Sequence, residues 1–320
     1  MRAPAAAVLA LLGAALPAEA ATVYVSDEAA NVVHVIDAET LQKRADIPVG
    51  RRPRGLALSA DGRRLYVAAS DDNRIEVVHL ATGKVVDHLP CGPDPETFVL
   101  GPGERMLYVA NEDDALVSFV DIPGRKVTAE VAVGGEPEGT GISPDGRMVA
   151  ATSEAASTVH FIDTATAAMV DSVLVDTRPR EARFTPDGRR LWVSSEVRST
   201  VTVIDPADRR ILGVIDFRAD QPDADIIQPV GIVFTRDGTR AFVALGRNAK
   251  VAEVDPRTLK ILRYFPTGMR AWKLALSPDE TRLFTANGLT GDVTVIDLRR
   301  NTPVATVATG GKPWDVVVAP

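Results

Sequence analysis

Short turn-forming tetrads recur along this chain at a constant step. Ser59-Ala60-Asp61-Gly62, Gly101-Pro102-Gly103-Glu104, Ser143-Pro144-Asp145-Gly146 and Thr185-Pro186-Asp187-Gly188 each begin 42 residues after the one before. Thr235-Arg236-Asp237-Gly238 begins 50 residues later, so eight residues are inserted there, and Ser277-Pro278-Asp279-Glu280 restores the step of 42. One further step reaches Ala319-Pro320. A unit of this length is a single supersecondary element that cannot bury its apolar face alone. A core forms only when neighbouring copies stack.

Each unit reads as short strands. In one unit, residues 55–58 lead into the tetrad, and Leu65-Tyr66-Val67-Ala68-Ala69 follow it. A polar loop, Ile75-Glu76-Val77-Val78, a turn at residues 81–84 and a last run at residues 85–89 complete it. Runs of this length, rich in Val, Ile and aromatic residues and bounded by Gly, Pro and Asp, predict four antiparallel strands per unit. No helical period of useful length interrupts them. Residues 22–26 align with a second strand of the unit and residues 313–318 with a first strand. The C-terminus therefore supplies the innermost strand of the unit that the N-terminus begins, which leaves no open edge in the ring. The expected fold is all-β: a seven-bladed β-propeller of four-stranded antiparallel blades, closed by the C-terminal strand.

A basic Met1-Arg2 start, an apolar stretch at residues 5–16 and small residues at Ala18-Glu19-Ala20 predict a secretory signal peptide over residues 1–20. The apolar stretch is too short to span a bilayer. Residues 21–320 are then expected to form one exported, periplasmic propeller domain, monomeric and without a membrane span. Cys91 is the only cysteine, which excludes an intramolecular disulfide and a thiolate metal cluster. A net charge of −7 and a pI near 5.3 argue against nucleic acid as a partner. The insertion, residues 218–228, carries Asp220, Asp223 and Asp225. It reads as a solvated loop, with a binding face as the alternative.

The run Leu107-Tyr108-Val109-Ala110-Asn111, preceded by a Ser-Pro-Asp-Gly-type turn and followed in other units by Val-x-Val-Ile-Asp (Val201 to Asp205, Val293 to Asp297), resembles the YVTN family of β-propeller repeats. The resemblance covers nearly all of residues 21–320. In overall layout the chain is similar to the periplasmic β-propeller proteins associated with pyrroloquinoline-quinone (PQQ)-dependent alcohol catabolism. That resemblance implies a non-catalytic binding or scaffold protein in such a pathway, with a periplasmic protein partner or a small planar anionic ligand.

Residue types weigh against the familiar propeller enzymes. No Cys-x-x-Cys-His haem motif occurs. The four histidines are too few for a copper cluster, and His34 and His160 fall at one repeat position in blades far apart, so a structural role is expected for all. A recurring tryptophan docking motif is missing. A lactonase-like calcium set could draw on Glu96, Asn111 and Glu138 by residue type alone. An enzyme, lactonase or oxidoreductase-like, is the alternative reading.

Propeller ligands gather where innermost strands enter the central channel. The mouth position of successive blades holds Arg54, Glu96, Glu138, Arg180, Val230, Trp272 and Trp314, and the next position holds Gly55, Thr97, Gly139, Glu181, Gly231, Lys273 and Asp315. Deeper positions stay apolar. Variation confined to the mouth predicts an asymmetric ligand site. Arg183 stands where other blades carry small or aliphatic residues, so burial would require a partner, Glu181 or Glu138. Adjacent Trp272 and Trp314 suit a flat ligand such as PQQ, with Arg54, Arg180 and Lys273 meeting its carboxylates. Glu96, Glu138, Glu181 and Asp315 offer instead a hard divalent or trivalent cation site. The loops between second and third strands are acidic and the opposite turns basic, which suits a cationic ligand or basic protein on the acidic face.

Overall fold

The computed structural model describes residues 21–320, and the expected signal peptide lies outside them. Seven four-stranded antiparallel sheets form seven blades. Blade two is typical: Pro53–Leu58, Arg64–Ala69, Arg74–His79 and Lys84–Pro90, from the channel outward. Blade one takes its inner strand, Pro313–Ala319, from the C-terminus, beside Thr22–Asp27. The register pairs Val23 with Val318 and Val25 with Val316, as the repeat alignment expects. Among the described residues no helix is long and apolar enough to cross a membrane.

Seven apolar clusters fill the spaces between neighbouring blades. Trp192 of blade five, for instance, meets Phe234 of blade six edge-on at 5.1 Å. No blade contains a core of its own, which is why the repeat folds only as a closed ring.

The tetrads make one device. The hydroxyls of Ser59, Ser143, Thr185, Thr235 and Ser277 each donate to the aspartate two residues on, at 2.6–2.7 Å. Each hydroxyl also accepts an amide at the entrance to the next strand, that of Arg64 at 2.9 Å in blade two. The fourth tetrad residue turns the chain left-handed, at φ 65° for Gly62 and 73° for Gly146, a region glycine enters without strain. These turns lie on one face of the disc, the turn face. The loops between second and third strands lie on the other, the loop face.

Three of the four histidines hydrogen-bond within the blades. His160 Nε2 accepts the Gly134 amide at 2.9 Å, and Glu76 and Thr294 accept the amides of Gly50 and Gly268 from the same repeat position. His34 sits between Asp27 at 3.1 Å and Asp46 at 2.6 Å. His79 contacts Thr82. The insertion is a packed brace rather than a free loop. Asp216 caps the short helix Phe217–Asp220, Tyr264 donates to Asp220 at 2.6 Å, and Phe217 and Ile227 are buried in the core between blades five and six.

Candidate ligand-binding channel

Innermost strands start irregularly, and that irregularity aims the mouth residues. The pairing register shifts between Pro53 and Leu56, Pro95 and Phe98, Pro137 and Thr140, Pro179 and Glu181, and Ala271 and Leu274. An extra residue in one strand bends it and redirects its side chains. The ten candidate residues thereby divide into two layers.

The upper layer, toward the loop face, is a buried web of ion pairs. Arg54 pairs with Glu96 at 2.8 Å and with Glu28 at 2.7 Å. Arg180 pairs with Glu138 at 2.7 Å, closely with Glu154, and more distantly with Glu196. Arg54, Glu96, Glu138 and Arg180 are all buried. Trp272 and Trp314 are neighbours, as the repeat order expects, but they pack on each other at 6.0 Å with a 35° tilt. That is the spacing of an aromatic pair in contact, which leaves no slot for a flat ligand between them. Cations pack over both indoles: Arg270 at 3.8 Å and Arg180 at 5.1 Å over Trp272, Arg54 at 4.7 Å and Lys273 at 5.4 Å over Trp314. Trp314 is 1% exposed. This layer closes the channel on the loop-face side.

Three arginines of this web were legible but unread. Arg52, Arg178 and Arg270 stand one residue before the inner strands, each with left-handed backbone (φ 51°, 62° and 61°). A non-glycine residue there costs about 1–2 kcal/mol. Their ion pairs offset it: Arg52 with Asp94 and Glu96 at 2.6 and 2.9 Å, Arg178 with Glu154 at 2.7 Å, Arg270 with Glu196 at 2.5 Å. The signal was charge recurring immediately before the strand-leading residue. These arginines pair with carboxylates of the acidic loops and so offset part of their charge.

Below the layer the channel widens into a cavity of about 570 Å³ that opens on the turn face. Glu181, Lys273 and Asp315 form its blind end. Lys273 reaches Glu181 past Gly231, where a Cβ would lie 2.7 Å from the Trp272 carbonyl and 3.4 Å from the lysine chain itself. Elsewhere too the small residues of this ring are steric: a Cβ on Gly139 would lie 2.5 Å from the Arg180 carbonyl. Part of the blade-to-blade variation therefore records how closely inner strands approach. Asp315 accepts the Leu56 and Val316 amides at 2.9 and 2.7 Å. Burial pushes its carboxyl up to about 6, against the pull of Lys273. Arg183 is not the buried cation its neighbours suggested. Its side chain is 45% exposed, in the cavity wall, with Nε donating to the Ile232 carbonyl at 3.2 Å and Glu181 3.8 Å away.

The four carboxylates considered for a cation separate onto different partners: Glu96 and Glu138 onto arginines, Glu181 onto Lys273, Asp315 onto backbone amides. Carboxylates that do converge are Asp94, Glu96 and Glu112, and Arg52 supplies positive charge there. The Asn111 amide nitrogen donates to Ser118 at 2.8 Å, and its Oδ1 is buried without a hydrogen-bond partner among the described residues.

Burial, with Glu138, Glu96 and Asp94 nearby, holds the Glu112 carboxyl up at about 8. The folded protein thus keeps a proton that the unfolded chain releases above its ordinary pKa near 4.3. That contribution is present below pH 4.3 and is lost as pH rises through 8. The full shift would correspond to about 5 kcal/mol, and solvent screening of this half-exposed group cuts that to on the order of 1–3 kcal/mol, lost in thermal melts from pH 5 to 9. Glu112→Gln should flatten that fall, and an unchanged slope would remove Glu112 as its source.

No family model matches this chain, and no curated protein does. Solved structures do. Hydrazine synthase of Kuenenia stuttgartiensis superposes with a TM-score of 0.78 at 20% identity, over 86% of this chain and 92% of that one. A functionally unknown protein from Desulfotomaculum acetoxidans gives 0.81 at 16% identity, over 93% and 98%. A candidate 6-phosphogluconolactonase from Bacteroides fragilis gives 0.76 at 16%, over 94% and 98%. At these identities the likeness is one of fold: the chain is a seven-bladed propeller.

Proposed function

We propose that this protein is a non-catalytic periplasmic binding protein that holds a small ligand in its central channel. In this reading it serves as an accessory in PQQ-dependent alcohol catabolism. The observation that carries it is the one-ended cavity of about 570 Å³, with the Glu181–Lys273–Asp315 group at its blind end. Small-molecule sites occupy about 300–1,000 Å³ and combine apolar walls with a few placed polar groups. The pathway context rests on the resemblance in repeat and layout, and export rests on residues 1–20.

The test begins with protein purified from the periplasm of cells grown on an alcohol. Mass spectrometry of its denatured extract should show a small molecule that Ala275→Trp, which fills the channel wall, fails to retain. Identical extracts from both proteins would remove the channel as the site. Steady turnover of an alcohol or lactone, a haem spectrum or stoichiometric copper would favour an enzyme instead. PQQ belongs among the ligands titrated, alone and with calcium. Tryptophan quenching abolished by Trp272→Ala would assign it to the indole pair, which must then part to admit it.

A further inference from the structure

The polar groups of the cavity are unequally satisfied. Glu181 is held by Lys273, and Asp315 by two backbone amides. Arg183 is different. Its Nε makes one hydrogen bond, while its Nη1 and Nη2 make none among the described residues. At the equivalent position the other inner strands carry Ala57, Val99, Gly141, Val233, Ala275 and Val317, so no other blade supplies a charge there, and Glu181, already held by Lys273, lies 3.8 Å from the Arg183 Nε. The rest of the Arg183 level is aliphatic, the next level toward the opening is Leu58, Leu100, Ile142, Phe234, Leu276 and Val318, and Arg236, Ser277 and Glu280 follow at the rim.

A guanidinium with two free nitrogens is a fork that matches a carboxylate bidentately. Apolar walls leading away from it match a hydrocarbon body. We propose that the channel takes an amphipathic monocarboxylate, whose carboxylate docks on Nη1 and Nη2 of Arg183 while its aliphatic or aromatic body lies along the walls toward the turn face. This rests on the channel being the binding site. The inner strands advance about 3.3 Å per residue, so these two apolar levels suit a body of roughly 7 Å, its far end at the rim.

Octanoate, octanamide and octylamine are the probes, titrated calorimetrically into the full propeller at pH 7. Octanoate should bind, and the amide and amine at least tenfold more weakly. Arg183→Gln should weaken octanoate at least tenfold and leave octanamide unchanged. Arg183→Glu should invert the order, favouring octylamine, which a merely misfolded variant would not do. Equal binding of all three probes, lost in Ala275→Trp, would overturn the carboxylate assignment and keep the channel as the site. Octanoate binding that survives Arg183→Gln undiminished would overturn it too. Absence of binding by every probe overturns the assignment, while a small molecule retained from cells and lost in Ala275→Trp would still support the channel.

Discussion

Removing residues from Pro313 onward is expected to abolish the cooperative melting transition. The segment supplies the inner strand of blade one, so its loss strips the ladder from Thr22–Asp27 and opens blade one toward blade seven. Trp314 and Val316 are 1% and 2% exposed. At about 1.5–3 kcal/mol per large buried apolar side chain they account for roughly 3–6 kcal/mol, before any lost strand pairing. A domain's whole stability is about 5–15 kcal/mol. A synthetic peptide of residues 312–320 added in excess should restore the transition by mass action. A truncated protein that melts like the full-length chain would show that the ring does not depend on this strand.

Replacing Arg180 should be the most damaging single substitution. Arg180 is 4% exposed and faces Glu138, Glu154 and Glu196 together. Arg180→Met leaves those carboxylates buried with less counter-charge, a change that costs about 3–5 kcal/mol. The cost should depend on pH in a definite direction. Burial already raises the Glu154 carboxyl to about 7, against the pull of Arg180, and losing that pull raises it further. Protonation below that value removes the unpaired charge. The gap between wild-type and variant should therefore be smaller at pH 5 than at a pH above the variant's own, higher value, where Glu154 is ionised. Arg180→Lys should fall between, keeping the charge and losing the fork. A gap that is constant with pH would mean that packing, not charge, holds this layer.

The fold was legible because its punctuation is local. Each tetrad carries its own hydrogen bonds, from Ser143 to Asp145 and from the Met148 amide back to Ser143. A period of 42 in such signals fixes blade, strand count and closure without knowledge of a single long-range contact. The site was legible only in part. Repeat alignment found the residues of the channel, because side chains there vary while the scaffold does not. It could not say which end of the channel is shut. That depends on Arg52, Arg178 and Arg270 folding over the carboxylates from left-handed positions outside the aligned strands. Arg183 was misjudged for a related reason. Alternation along a strand shows that its neighbours are small, but not that the space beside them is the channel rather than core.

A tube closed at one end is a cup, and a cup does not conduct. Among the described residues the ion-pair layer stands across the loop-face side, so the cavity fills and empties between the turns. Filling and emptying share one rim, where Arg236 and Glu280 stand. A protein seated on that rim would cover the opening, whereas one seated on the loop face would leave it open. The ring of salt bridges thus gives a nearly symmetric wheel a floor and an orientation.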